Sequence, residues 1–297
     1  MAEGRSPECD ALRPPKDDPD EGLEMRHYDV GEELGADGFG TVHEGLHRGS
    51  NTRIAIKKLP VGEHYFDDSL ESKAARKEKE NVLILGNHVN IVRCFDAFET
   101  DDNHLAIPME YCDLDLAAFM TNKSNRKTGV LINVAFQAAA GLEYLHSHRP
   151  PIVHRDIKPA NILLKLKPKP VVKLSDFGLS SILEAGEGFI ENPTMQQLKQ
   201  TFYSMKTVEF YAANEGQGLV DGKFRIGPAV DIFALGVVFL CMICYNTSDY
   251  GKSCFSCKRN SYVSAMSFRR KSKFTSSHLV ELEASVTPIA TCILLAS

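Results

Sequence analysis

Val153-His154-Arg155-Asp156-Ile157-Lys158-Pro159-Ala160-Asn161, followed 15 residues later by Asp176-Phe177-Gly178, gathers two carboxylates, an amide and a lysine into one short span. Asp156, Asn161 and Asp176 carry hard oxygen atoms of the kind that a divalent cation takes as ligands. An aspartate just before a glycine is also a common turn arrangement. That plainer reading of Asp176 loses ground because Asp156 and Asn161 independently call for a metal partner.

Upstream lies a glycine cluster, Leu34-Gly35-Ala36-Asp37-Gly38-Phe39-Gly40-Thr41-Val42. Glycines let a backbone turn tightly between strands and approach a phosphate closely. By itself the cluster reads equally as a hairpin turn. Context strengthens the phosphate reading, because Ala55-Ile56-Lys57 follows as a strand ending in a lysine. Such a lysine neutralises phosphate charge when a carboxylate holds it in place. Taken alone, Lys57 would be a solvated surface residue.

The four segments occur in order, and with them the chain resembles the eukaryotic protein kinase family. H-R-D-x-K-P-x-N and D-F-G stand unbroken, with the Gly-rich strand pair and the A-x-K lysine upstream. The resemblance covers about residues 28–245. It implies an α+β, bilobal protein-kinase-like fold, with a small β-rich N-lobe (28–109), a hinge (110–113) and a larger α-helical C-lobe (114–250) that looks truncated. It implies ATP and Mg²⁺ as cofactors and a protein substrate. Lys158 with Pro159 is the form seen in serine/threonine kinases, so the implied acceptor is serine or threonine. In this reading Asp156 orients the attacking hydroxyl and accepts its proton, and Lys158 sits near the transferred group. Asn161 and Asp176 hold the magnesium.

The remaining site residues come from the same resemblance. Gly35, Ala36, Asp37, Gly38, Phe39 and Gly40 form the phosphate loop. Val42 and Ala55 roof the base, and Leu163 supplies part of its floor. Met109 is the gatekeeper, and backbone groups of Glu110 and Cys112 bond the adenine edge. Glu80 is the candidate partner of Lys57 in the charged helix 69–85, with Glu78 as a rival; for either, a solvated helix face is the plainer reading. The segment 179–212 holds Thr194, Thr201, Tyr203, Ser204 and Thr207, hydroxyls that a regulatory kinase would modify, with Arg155 as the receiving cation.

Five departures from the family pattern bear on competence. Asp37 replaces the second loop glycine and sets a carboxylate beside phosphate, which predicts weaker nucleotide binding. Ala213-Asn214-Glu215 stands for A-P-E. Thr207-Val208 stands where the family has Gly-Thr. Phe233 replaces a tryptophan and loses an N–H donor. After Tyr250 the motifs find no counterpart. The altered ending favours a second reading, a pseudokinase or scaffold that binds ATP weakly and acts through partners. A small-molecule kinase of related fold is a third, opposed by the long segment between Asp176 and Glu215.

Composition sets the outer bounds. The 297 residues hold 34 Lys plus Arg and 39 Asp plus Glu, a net charge of −5. That mild acidity argues against a binder of nucleic acid. Apolar residues at 43% suffice for a core, and 21 Gly and 14 Pro without a period exclude a fibrous chain. Residues 1–27 are acidic and Pro-rich and read as a disordered arm. Residues 251–297 are basic, Ser-rich and unrelated to the family pattern. The apolar run Ile232–Tyr245 is too short for a membrane span and reads as a buried helix, so no membrane is expected. No secretory signal is visible, and the eight cysteines are expected as thiols in the cytoplasm, with a nuclear pool left open. Cys241, Cys244, Cys254 and Cys257 have zinc-knuckle spacing, but the first pair falls inside the apolar helix, where cysteine is an ordinary core residue. A helix over 129–147 follows from the stripe Val134, Ala138, Leu142 and Leu145.

Overall fold

A computed structural model describes residues 25–36, 40–61, 69–183, 190–191 and 225–244. These residues fall into two compact units, one within Met1–Asn87 and Val92–Cys112, the other within His88–Ile91 and Asp113–Ser297.

The first unit is built on a five-stranded antiparallel sheet in the order β1-β2-β3-β5-β4. Its strands are β1 (Tyr28–Ala36), β2 (Thr41–His47), β3 (Thr52–Pro60), β4 (Phe98–Thr100) and β5 (His104–Glu110). Alternation in β3 sends Ile54 and Ile56 to one face, where they join Tyr28 and Ala106 under Met25, Phe95 and Phe98. Gly40 immediately precedes β2 at a point where a Cβ would lie 2.2 Å from the Lys58 carbonyl oxygen, so only glycine fits.

The helix α1 (Leu70–Ile84) starts at Ser69, whose hydroxyl accepts from Ser72 N at 3.1 Å. Ser72, Ala75, Glu78, Val82 and Leu85 are buried. Their spacing of three, three, four and three lays them along one stripe. Met25–His27, which composition assigns to the arm, form a 3-10 turn, and Arg48 N donates to the His27 carbonyl at 3.0 Å. The rest of the arm lies outside the described residues.

The second unit is mainly helical. It holds α2 (Leu116–Thr121), α3 (Thr128–Ser147) and α4 (Ala229–Cys244). Small sheets connect them: β6 (Leu114–Asp115), β8 (Ile162–Lys165) and β9 (Val171–Leu174) in one, β7 (Ile152–Val153) with β10 (Ser181–Ile182), and β11 (Ile190–Glu191) with β12 (Arg225–Ile226). The stripe predicted on α3 is buried at all four positions. The apolar run becomes α4, which buries Val230, Ala234, Leu235, Val238, Phe239 and Met242. Among the described residues, no helix is long and apolar enough to cross a membrane.

The segment His88–Ile91 belongs to this unit because its polar groups are satisfied there. Asn90 Nδ2 donates to the Val172 carbonyl at 2.9 Å, and Leu174 N donates to the Asn90 carbonyl at 2.9 Å. Gly141 permits this approach, since a Cβ there would lie 2.9 Å from Asn90 O. Residues 207–215, Cys254, Cys257 and the tail 251–297 lie outside the described residues, as do the side chains of Cys241 and Cys244.

Candidate active site

In the first unit, strand register decides which side chains share a face. Gly35 pairs with Val42, Val42 with Lys57, Lys57 with Ile107, and Ala55 with Met109. Cross-strand partners point the same way, and so do residues two apart on a strand. Val42, Ala55, Lys57 and Met109 therefore lie on one face, opposite to Ile54 and Ile56. Of the glycine cluster, Gly35 and Ala36 end β1 and Gly40 precedes β2, while Asp37, Gly38 and Phe39 lie outside the described residues.

Lys57 Nζ donates to Glu78 Oε1 at 2.8 Å, with each side chain only 5% exposed. The expected partner Glu80 is thereby corrected to Glu78. The reason is helical phase: Glu78 lies on the buried stripe of α1, and Glu80, two residues on, is turned to solvent. A lysine taken out of water needs a carboxylate against it, and the stripe supplies one. Cys94 is close to this pair. Burial, and then the Glu78 charge, push its thiol up to about 12, so it stays protonated.

The end of β5 and the residue after it are held by backbone and side-chain contacts. Arg93 N donates to Glu110 Oε1 and Glu110 N donates to the Arg93 carbonyl, both at 2.9 Å. The Arg53 guanidinium lies 3.7 Å over the Tyr111 ring, a cation–π contact. The Glu110 N–H is thus already engaged within the unit.

In the second unit, the loop after β7 carries the remaining candidates. Asp231, fully buried on α4, accepts from His154 N and Arg155 N, both at 2.7 Å, and contacts His146 Nε2 at 2.9 Å. These bonds hold Arg155 at a φ of 69°, a left-handed conformation uncommon for a residue with a Cβ. Next in sequence, Asp156 receives Lys158 Nζ at 2.6 Å and Asn161 Nδ2 at 2.8 Å, both on Oδ2. Asn161 Nδ2 also donates to the Asp156 carbonyl at 2.9 Å. With both bonds made from its nitrogen, the Asn161 side chain presents Oδ1 as its remaining polar atom.

Asp176 is tied to the same loop through its neighbours. Ser175 N donates to the Asn161 carbonyl at 3.0 Å, and His154 Nε2 lies 3.1 Å from the Ser175 carbonyl. Phe177 is buried 5.0 Å from the His154 ring. Asp176 itself is half-buried with a φ of 68°. The structure thus brings Asp156, Lys158, Asn161 and the Asp176 turn together. The Asn161 amide oxygen and the Asp176 carboxylate form a hard-oxygen donor set that fits Mg²⁺. Leu163 is half-buried on β8, paired with Asp115 and Lys173.

Arg155 is 2% exposed, and its Nη1 donates to Ser181 Oγ at 2.7 Å. Burial draws this guanidinium down to about 10, partly offset by Asp231. The phosphate-bearing candidates Thr194, Thr201, Tyr203, Ser204 and Thr207 lie outside the described residues. Sequence reasoning missed Glu78 as first choice, His146 as a partner of Asp231, and Ser181. The burial stripe would have identified Glu78; no local signal marks the other two.

The family described as "Protein kinase domain" matches residues 28–294. The chain belongs to the protein kinase family. Its α+β architecture is the kinase fold, and the match runs through 251–294, where motifs alone find no counterpart. The chain is similar to the serine/threonine protein kinases OSK3 and OSK4 of Oryza sativa, 32% identical over 221 residues, which is 74% of this chain and 39% of each of those. It is also similar to the carbon catabolite-derepressing protein kinase of Secale cereale, 30% identical over 222 residues, covering 74% of this chain and 40% of that one. It thus spans well under half the length of these relatives. Among solved structures it resembles a chain of the CAK complex of Chaetomium thermophilum bound to ATP-gamma-S. The TM-score is 0.55 at 25% identity, covering 79% of this chain and 69% of that one.

Proposed function

We propose that this kinase-family chain is an ATP-dependent protein serine/threonine kinase that transfers the γ-phosphoryl group to a hydroxyl of a protein substrate. One observation carries this reading: a single carboxylate oxygen of Asp156 is held by both Lys158 and Asn161 on a loop that is bonded to the residue before Asp176. Phosphoryl transfer asks a protein for positioning and charge neutralisation more than for covalent chemistry. Asp156 orients the acceptor hydroxyl and takes its proton. Lys158, already on Asp156, offers its cation to the phosphoryl oxygens as their charge develops. Lys57, held by Glu78, neutralises phosphate charge. Val42, Ala55 and Met109, which share one face of the sheet, contact the base, and backbone groups of Glu110 and Cys112 bond its edge. Asn161 and Asp176 would hold Mg²⁺, which when bound would neutralise phosphate charge.

The test is incorporation of labelled phosphate from Mg²⁺-ATP into a generic serine/threonine peptide, with Asp156→Asn as the control. The reading requires transfer by the native chain and loss of about 10²-fold or more in the variant, at the lower end for removal of a positioned proton acceptor. Equal incorporation by both, or none by either, defeats it and leaves a nucleotide-binding scaffold as the better description.

A further inference from the structure

Three buried serines bracket the Asp176-Phe177-Gly178 turn. Ser175 precedes it, Ser180 and Ser181 follow it, and they are 7%, 0% and 6% exposed. A hydroxyl buried without a partner is costly, so the partners of these three are informative. All three bond the loop 154–161. Ser175 donates to the Asn161 carbonyl twice, from N at 3.0 Å and from Oγ at 3.1 Å. Ser180 Oγ donates to the His154 carbonyl at 3.3 Å. Ser181 Oγ accepts from Arg155 Nη1 at 2.7 Å.

The pattern joins both ends of one segment to both ends of the other. Ser175 meets the Asn161 end, and Ser180 and Ser181 meet the His154 end. The Ser181 bond is the shortest of these four and has a charged donor, the class of hydrogen bond that is strongest. It also acts on a residue already fixed elsewhere. Arg155 is held through its backbone by Asp231 and through its guanidinium by Ser181. Two anchors on one left-handed residue fix where the next carboxylate, Asp156, projects. The short pairing of β10 with β7, in which Ser181 stands opposite Val153, sets the distance at which these bonds form.

We propose that Ser175, Ser180 and Ser181 are positioning residues, Ser181 foremost, that keep the loop bearing Asp156 and Asn161 in register with the turn bearing Asp176. The kinetic consequence rests on the phosphotransfer reading above; the structural consequence does not.

The test uses the full chain and three variants: Ser181→Ala, Ser181→Thr, which restores a hydroxyl, and Ser175→Ala, which serves should Ser181→Ala fail to fold. Hydrogen exchange of 153–161 and 175–183 is measured together with steady-state kinetics. Removal of the hydroxyl is expected to raise exchange in both segments and to leave exchange on α3 unchanged. The threonine variant is expected to restore protection. kcat is expected to fall about tenfold or more, the scale of loss when a catalytic group is slightly misplaced, with KM for ATP and peptide unchanged. Unchanged local exchange in Ser181→Ala overturns the proposal whether or not the chain is active, and so does unchanged kcat in an active chain. A native chain that transfers no phosphate defeats the kinase reading only, and the exchange data still decide the clamp.

Discussion

Lys57 and Glu78 meet across a strand and a helix, whereas Asp156, Lys158 and Asn161 meet inside one loop. The first contact needs only two periodicities to be right. Alternation along β3 turns Lys57 to one face, and the three-and-four stripe of α1 turns Glu78 inward. The second has no ladder of backbone bonds to hold it. Its geometry comes from Asp231, 75 residues beyond Asp156, and from the serines around Phe177. Regular elements therefore carry one charged cluster, and remote acceptors carry the other. Damage to the first should stay local, while damage to the second should spread along the loop.

The largest effect is expected from Asp231→Ala. Two buried backbone donors lose their acceptor, at ~1–3 kcal/mol each, so unfolding free energy should fall by roughly 2–6 kcal/mol. Urea unfolding measures this. A loss within ordinary surface-mutation scatter would break the contrast by showing that the loop holds itself. A smaller but sharper effect separates Glu78→Gln from Glu80→Gln. The amide at 78 still accepts from Lys57 but leaves its charge uncompensated, so about 2–3 kcal/mol is expected, below the ~3–5 kcal/mol of an outright broken pair. Glu80→Gln, on the solvent side, should stay within about 0.5 kcal/mol. Equal effects from the two would undo the helical-phase account of the pair.

Tyr28 probes the apolar face of the same sheet. Its hydroxyl is buried and, among the described residues, has no hydrogen-bond partner. Burial first, and then Asp96, push the phenol up to about 12. The folded chain therefore keeps a proton that the unfolded chain releases near its ordinary value of 10.0. Between those values the native state binds more protons, so stability falls as pH rises. Tyr28→Phe should raise stability by about 1 kcal/mol at neutral pH and lose this alkaline slope. Thermal melts from neutral to alkaline pH would show it; an unchanged slope contradicts the assignment.

The smallest effect belongs to Asp102. Hydrogen bonds from Lys58 and then Thr100 hold its carboxyl down to about 2. That stability is present above the ordinary value of 3.8 and is lost as pH falls toward 2. The side chain is 56% exposed, so Asp102→Asn should cost under about 1 kcal/mol at neutral pH and flatten the acid limb of a melting series. A loss as large as that at Glu78 would erase the distinction between buried and exposed pairs.

Part of the candidate site was legible because carboxylates, amides and lysines declare their chemistry by residue type and spacing alone. Asp156, Asn161 and Asp176 stand out by type and spacing in the sequence itself. The α3 stripe was equally plain, since burial writes a period into sequence. Glu78 was nearly legible: it shares a stripe with Ala75, Val82 and Leu85, and it stood as the rival of Glu80 in the same charged helix. Ser181 and His146 were not legible. A serine that accepts one bond from a buried arginine leaves no period, and its partner lies 26 residues away. The placement of His88–Ile91 in the second unit was equally hidden, because it follows from the bonds of Asn90 to β9.

The sequence by itself determined the chemical inventory, the order of the elements and the family, because spacing, periodicity and residue type are properties of a line. Tertiary structure alone decided which carboxylate holds Lys57, which acceptor holds the 154–156 backbone, and that Arg155 is turned inward onto Ser181. Those outcomes depend on helical phase, burial and the need of every buried donor for an acceptor, and such needs are met across space by residues far apart in the chain.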